Sequence, residues 1–324
     1  MNTKNPALHD FLKQNFKTDA FKIEKLQGDV STRKFYRITA SSKNYILMEA
    51  DAPSLPQFIS IAEYLKSHGV SVPQIYNYDK NGFVLMEDGG DNHLEVLAKK
   101  NIKKALPYYE EVLSQLAIIQ TSILHSKQSC PAQEIKFTSE KFQEELKATE
   151  EYCFQKHFKL SYDKEKLHQE CKNLCDTITK LALCLTHRDF HSRNILVKNG
   201  NHVMIIDFQD ARLGPYQYDV TSLLRDSYVL LPRDSQDALL THYFKTVKKL
   251  DPKFEIDTFL KHYNETTLQR SLKAAGTFTK VYHMGGGDFY LQYLKTTMFH
   301  VREVLKNMKT KYPILHNLTE NINI

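Results

Sequence analysis

The stretches "LTHRDFHSRNIL", residues 185–196, and "VMIIDFQDARLGPYQYD", residues 203–219, decide how the rest of the chain is read. Asp189 is followed five residues later by Asn194, and Asp207 ends the apolar run Val203-Met204-Ile205-Ile206, which predicts a buried strand. An ionised carboxylate at the edge of a core is costly unless a cation or hydrogen bonds compensate it. Two acids with an amide between them therefore ask which positive charge belongs there.

The spacing meets the needs of phosphoryl transfer. That chemistry uses an acid to orient the attacking hydroxyl and take its proton, plus oxygen ligands that hold magnesium against nucleotide phosphates. Asp189 fits the first role, and Asn194 and Asp207 fit the second, because magnesium is satisfied by few protein oxygens beside phosphate and water. The competing reading makes Asp189 a cap and Asp207 a hydrogen-bonded core acid. Spacing, order and the surrounding architecture together favour the nucleotide site.

Working outward, residues 7–16 have helical spacing, and 21–27, 33–39 and 44–50 read as strands joined by short turns. A helix over "LPQFISIAEYLKSHG" closes on Gly69, and two further strands flank the "DKNG" turn. This predicts an α+β chain: a five-stranded antiparallel lobe over 1–88, then a mainly helical lobe over 89–324. Helical stripes are expected over 104–125, 138–157, 163–182, 219–231, 235–249, 256–275 and 288–308. The acids sit in the one non-helical insert of the second lobe, 185–212.

Bulk properties narrow the function classes. Lysine and arginine exceed the acids by 44 to 38, but they are dispersed among glutamates, so no nucleic-acid groove is indicated. No apolar run is long enough to span a bilayer, and the polar N-terminus lacks a signal core, so a cytoplasmic location is expected. Five cysteines without metal-ligand spacing fit reduced, packed thiols. The glycines of "HMGGGDFY", 283–290, follow no strand and read as a connection rather than a phosphate loop. His187 and His191 are four apart but lie in the loop, where the kinase reading displaces zinc.

"HRDFHSRN" followed by "DFQD" resembles the catalytic segment of protein-kinase-like phosphotransferases, in their aminoglycoside and small-molecule branch. "GDVSTRKFYRI", "DFQDARLGPYQYD" and "LQRSLKAAGTF" narrow this to the bacterial anomeric kinases of N-acetylmuramic acid and N-acetylglucosamine, which act in cell-wall recycling. The resemblance implies a two-lobed kinase-like fold, ATP and Mg2+ as cofactors, a small sugar as acceptor, and a monomer. Two rivals stand beside it: a kinase of another hydroxylated metabolite or aminoglycoside, and a nucleotide-binding module without turnover.

The resemblance also implies site residues. Ser31 and the backbone of 28–32 would cover the phosphates, although this turn holds one glycine only. The third strand offers Met48 where kinases carry a lysine, so Arg33 or Arg37 would supply the missing cation, with Glu63 as its acidic partner. The alternative makes both arginines surface charges of an edge strand. Met86 to Asp88 would present backbone groups to adenine. His191, Arg193, Gln209, Asp210 and Arg212 would line the sugar or support those that do. Asp219 caps the following helix or braces the catalytic loop.

Overall fold

Tyr36, Ile38 and Ala40 alternate with more exposed neighbours along one segment, which pairs antiparallel with the next, where Leu47 and Met48 are buried on opposite faces. The computed structural model describes residues 5–26, 33–198 and 202–323. In it β1 (Phe21–Lys25), β2 (Lys34–Ala40), β3 (Lys43–Glu49), β4 (Ile75–Tyr78) and β5 (Phe83–Glu87) form one sheet in the order β1-β2-β3-β5-β4. The expected turn 28–32 lies outside the described residues.

Helix α1 (Pro6–Phe16) covers one sheet face, packing Leu8, Phe11 and Leu12 onto Tyr36, Ile38, Leu47 and Leu85. Helix α2 (Leu55–Ser67) packs on the other face through Phe58, Ile59 and Ala62, and Gly69, with φ +79°, closes its end. The "DKNG" turn requires its glycine: φ at Gly82 is +94°, and a Cβ there would stand 2.1 Å from the Ala50 carbonyl oxygen.

The sheet ends at Glu87 and helices follow. They are α3 (Leu94–Lys100), α4 (Ile102–His125), α5 (Ser139–Ala148), α6 (Lys164–Ile178), α7 (Gln217–Leu224), α8 (Arg233–Leu250), α9 (Ile256–Lys261), α10 (Tyr263–His283), α11 (Leu294–Met308) and α12 (Pro313–Glu320). One core runs from Met48 and Phe58 through Tyr109 and Leu113 to Phe208 and Tyr243, so apolar packing continues across the junction of the lobes. A second core lies under α10 and α11, around Leu272, Ala275, Met298 and Val301.

Three helical readings change in the structure. The segment 138–157 is α5 followed by a π-helix, Thr149–His157. The segment 256–275 divides at His262, and α10 continues to His283. The segment 219–231 is helical only to Leu224, after which the chain turns away at Arg225. The "HMGGGDFY" segment is a connection, with φ of +84° at Gly285 and +82° at Gly287.

Candidate active site

Two short ribbons position the acids. β6 (Leu183–Thr186) pairs antiparallel with β9 (Arg212–Pro215), and β7 (Ile195–Val197) pairs with β8 (Val203–Ile205). The register sets Ile195 opposite Ile205, so Asn194 and Asp207 flank the same end of one hairpin. The Ile206 N–H donates to the Asn194 carbonyl at 3.0 Å, and Asn194 Nδ2 donates to Asp207 Oδ2 at 3.1 Å. Nδ2 also donates to the Asp189 carbonyl at 2.8 Å, which leaves Asn194 Oδ1 as the lone-pair face of that amide. The structure thus brings together the three residues singled out in the sequence.

The loop between the ribbons is held by Asp219. This fully buried carboxylate on α7 accepts the His187 N–H at 2.6 Å and the Arg188 N–H at 3.0 Å. Burial pushes its carboxyl up to about 7, against the pull of those two donors. Of the two roles expected for Asp219, bracing the loop is the observed one. The His187 ring donates from Nε2 to the Ile206 carbonyl at 3.0 Å, and burial keeps it neutral. Non-glycine residues in left-handed backbone flank the acids: Arg188 has φ +81° and Asp207 φ +68°. Such strain gathers where a functional geometry is over-determined by its surroundings.

Asp189 opens on a cavity of about 140 Å³ lined by His191, Asp226, Tyr228, Arg270 and Lys273 among others. Lys273 Nζ lies 3.2 Å from Asp189 Oδ1, and Arg270 Nη2 lies 4.0 Å from it. Burial would push the Asp189 carboxyl up, but Lys273, Arg270 and Arg188 outweigh burial and hold it well below the usual carboxylate range. His191 packs edge-on against Tyr228, and burial drives its pKa down to about 3. Both cations come from α10 and escaped the sequence reading.

Of the five residues expected at the sugar, only His191 lines this cavity. Arg193 is instead held among Tyr228, Phe289 and Tyr290, with its Nε 3.5 Å from Glu95. Gln209 donates from Nε2 to Asp207 Oδ1 at 2.6 Å, which places it beside Asp207. Asp210 bridges Arg188 at 3.1 Å and Arg212 at 3.8 Å, and Arg212 lies over Phe137. These four are drawn off by stronger partners nearby.

On the nucleotide side the two arginines separate. Arg37 forks onto Asp88, 2.6 Å from Nε, and onto Asp91, 2.7 Å from Nη2, and those carboxylates raise its pKa. It therefore fastens the sheet to the junction and is withdrawn from the phosphates. Arg33 stands over the Phe58 ring at 6.0 Å, and Phe58 stacks on Phe208, the neighbour of Asp207, at 5.1 Å. Glu63 sits on the exposed side of α2, not on the side facing Phe208. Met48 is buried in β3 opposite Phe35 and Val84. Ser31 lies outside the described residues.

The side chain of Met86 is buried in β5, and the Glu87 N–H is engaged by the Gln74 carbonyl at 2.8 Å. Backbone groups free of the sheet therefore begin at Asp88. A Cβ on Gly89 would meet Leu196 Cδ1 at 2.4 Å and Met204 Sδ at 2.8 Å, so the junction passes close against the side chains of β7 and β8.

Residues 22–252 match the phosphotransferase enzyme family. An N-acetylmuramate/N-acetylglucosamine kinase of Pseudomonas aeruginosa is 30% identical over 276 residues, 82% of this chain and 78% of that protein. Another so named, from Neisseria meningitidis serogroup B, is 26% identical over 97% of this chain and 94% of its own. Among solved structures, choline kinase LicA from Streptococcus pneumoniae superposes with a TM-score of 0.61 at 16% identity, covering 92% of this chain and 99% of that one. A spectinomycin phosphotransferase in complex with ADP and spectinomycin gives 0.60 at 15% identity over 99% and 100%. These neighbours carry the two-lobed kinase-like fold, and no helix among the described residues is long and apolar enough to cross a membrane. With the sheet lobe, the Asp189–Asn194–Asp207 loop and these matches in agreement, the chain belongs to the phosphotransferase enzyme family.

Proposed function

We propose that this protein transfers the γ-phosphoryl group of ATP to the anomeric C1 hydroxyl of N-acetylmuramic acid or N-acetylglucosamine. The observation that carries the reading is Asp189, which lines a cavity on one side while its main-chain carbonyl accepts from the Asn194 amide that also holds Asp207. The curated relatives' names supply the sugar class.

In this reading Asp189 accepts the proton of the C1 hydroxyl as its oxygen forms the new bond to γ-phosphorus, and the bond to the β–γ bridging oxygen breaks to release ADP. Asp207 and Asn194 Oδ1 are hard oxygen donors side by side, a set that fits magnesium. When bound, the ion would neutralise charge on the phosphate oxygens. Gln209 and Asn194 hold one Asp207 oxygen each, so the carboxylate is oriented before nucleotide arrives. Arg33, over the Phe58 ring that stacks on Phe208, is the cation we assign to the phosphates. Adenine would meet the backbone from Asp88 onward.

The test is ADP release with a panel of sugars, antibiotics and small alcohols. N-acetylmuramic acid and N-acetylglucosamine should stimulate it, and the product should be an acid-labile sugar 1-phosphate. Their 1-O-methyl glycosides should not turn over. Efficient phosphorylation of those glycosides would remove the anomeric assignment. Arg33→Ala should raise the nucleotide KM about tenfold or more, the scale of one charge-assisted contact.

A further inference from the structure

The acceptor cavity carries more positive than negative charge. Its charged lining consists of Asp189, Asp226, Arg225, Arg270 and Lys273. Arg225 is drawn off by Glu303. Asp226 is occupied by the Ser192 hydroxyl, the Ser192 N–H at 3.0 Å and the Tyr228 N–H at 2.9 Å. Lys273 and Arg270 both face the Asp189 carboxylate, at 3.2 and 4.0 Å, while Asp226 is satisfied by neutral donors deeper in the same lining.

Arg270 is poorly matched by its own protein. Its Nη2 donates to Ser222 Oγ at 3.1 Å, its ring neighbour Tyr218 lies 5.9 Å from the guanidinium, and its Nε is buried with no hydrogen-bond partner. A buried guanidinium with an unmet donor is expensive, and folding retains it only where something else repays the desolvation. An anion entering the cavity would do so. Tyr228, Ala274 and Phe278 give the wall apolar surface beside the hydroxyls of Ser222, Ser227 and Ser271, which suits a short branched arm with an apolar group beside its charge.

Neither Asn194 nor Asp207 lines this cavity, which opens on the other side of Asp189. The space of about 140 Å³ is below the roughly 300–1,000 Å³ of pockets that enclose a whole drug-sized ligand, and it fits a substituent instead. We infer that Arg270 and Lys273 form a subsite for the carboxylate of the acceptor sugar's lactyl arm, so that this enzyme favours a negatively charged acceptor over a neutral one. The inference rests on the sugar-kinase reading above and adds the residues that choose between its two sugars.

The experiment compares kcat/KM for N-acetylmuramic acid, its methyl ester and N-acetylglucosamine in the unmodified enzyme, in Lys273→Gln and in Arg270→Gln. The acid should exceed its ester about tenfold or more in the unmodified enzyme, mainly through KM, as expected of hydrogen bonds to a charged group. That ratio should fall to within about threefold in each variant, and Arg270→Lys should restore part of it. Equal use of acid and ester by the unmodified enzyme, or a ratio that survives in both glutamine variants, would overturn the inference while leaving the sugar kinase intact. Absence of ADP release with all three sugars would instead remove the functional reading, and this inference with it. The comparison of acid with ester needs no variant, so a variant that fails to fold does not shield the inference.

Discussion

Arg37 Nε stands 2.6 Å from Asp88 Oδ2, which ties the second strand of the sheet to the first residue beyond it. Asp88 is 7% exposed, so truncation to Arg37→Ala would leave an acid nearly enclosed and unpaired. Breaking a buried pair this way costs about 3 kcal/mol, and the partial exposure here brings the expectation to about 2 kcal/mol. Urea denaturation should show the loss, and Arg37→Lys should recover only part of it, because a point charge cannot fork onto Asp88 and Asp91 together. Turnover lost at unchanged stability would return Arg37 to the phosphates.

Asp189 and Asp207 should fail differently. Asp189→Asn should retain metal-dependent nucleotide binding while losing about 10²–10⁴ in kcat, the range expected of a lost general base. Asp207→Asn should weaken nucleotide binding in magnesium and leave it nearly unchanged in chelator. Calorimetry with a non-hydrolysable nucleotide separates the two, and identical profiles would contradict the assigned roles.

Asp219→Ala leaves the N–H groups of His187 and Arg188 without their acceptor inside the core. At about 1–3 kcal/mol for each buried group left unsatisfied, the variant should be destabilised by roughly 2–4 kcal/mol. Its kcat should drop with little change in nucleotide affinity, since the brace sets the loop carrying Asp189. Asp219→Asn keeps one acceptor oxygen and should fall between the two. Thermal unfolding and steady-state kinetics on the same samples provide the check.

His300 on α11 is fully buried, and burial drives its pKa down to about 4. A depressed histidine stabilises the fold above its unfolded pKa near 6.5, and that contribution is lost as pH falls towards the folded value. His300→Phe removes the titration. The wild type should therefore lose roughly 3 kcal/mol relative to the variant between about pH 6.5 and pH 4. Denaturant curves at three pH values measure the difference, and a pH-independent gap would contradict the buried neutral ring.

Gly276 lets α10 approach the π-helix: a Cβ there would stand 2.6 Å from Thr149 N and 2.7 Å from its Cα. Backbone cannot yield as a side-chain tip does, so Gly276→Ala should cost about 1–3 kcal/mol by overpacking. Because the same helix carries Lys273, acceptor KM should rise while nucleotide KM holds. Equal shifts in both constants would mean that α10 does not act on the acceptor alone.

The sheet was legible because Tyr36 and Ile38 keep period two between short turns, and the transfer loop because Asp189, Asn194 and Asp207 lie close in sequence. What escaped was built by distance along the chain. Arg37 is captured by a carboxylate 51 residues away, which no strand pattern reveals. Arg270 and Lys273 lie in "LQRSLKAAGTF", a segment that carried the resemblance without giving either residue a role. Their signal was present in neighbours such as Leu272, Ala274 and Ala275, all buried, which set two cations three residues apart beside a packed face of the helix. The π-helix was hidden because Phe142, Leu146, Cys153 and Phe154 stay on one apolar side through the change of winding.

The family match ends at residue 252, and α10 begins at Tyr263. The apparatus that moves a phosphoryl group and the helix that forms one wall of the acceptor cavity thus occupy consecutive stretches of chain, not interleaved ones. A change confined to 263–283 reaches one wall of the cavity and, through Lys273 and Arg270, the charge around Asp189, while Asn194 and Asp207 stay fixed by their own ribbon. In engineering language α10 is an exchangeable part, and grafting its cavity-facing residues is the shortest route to a phosphotransferase with a different customer.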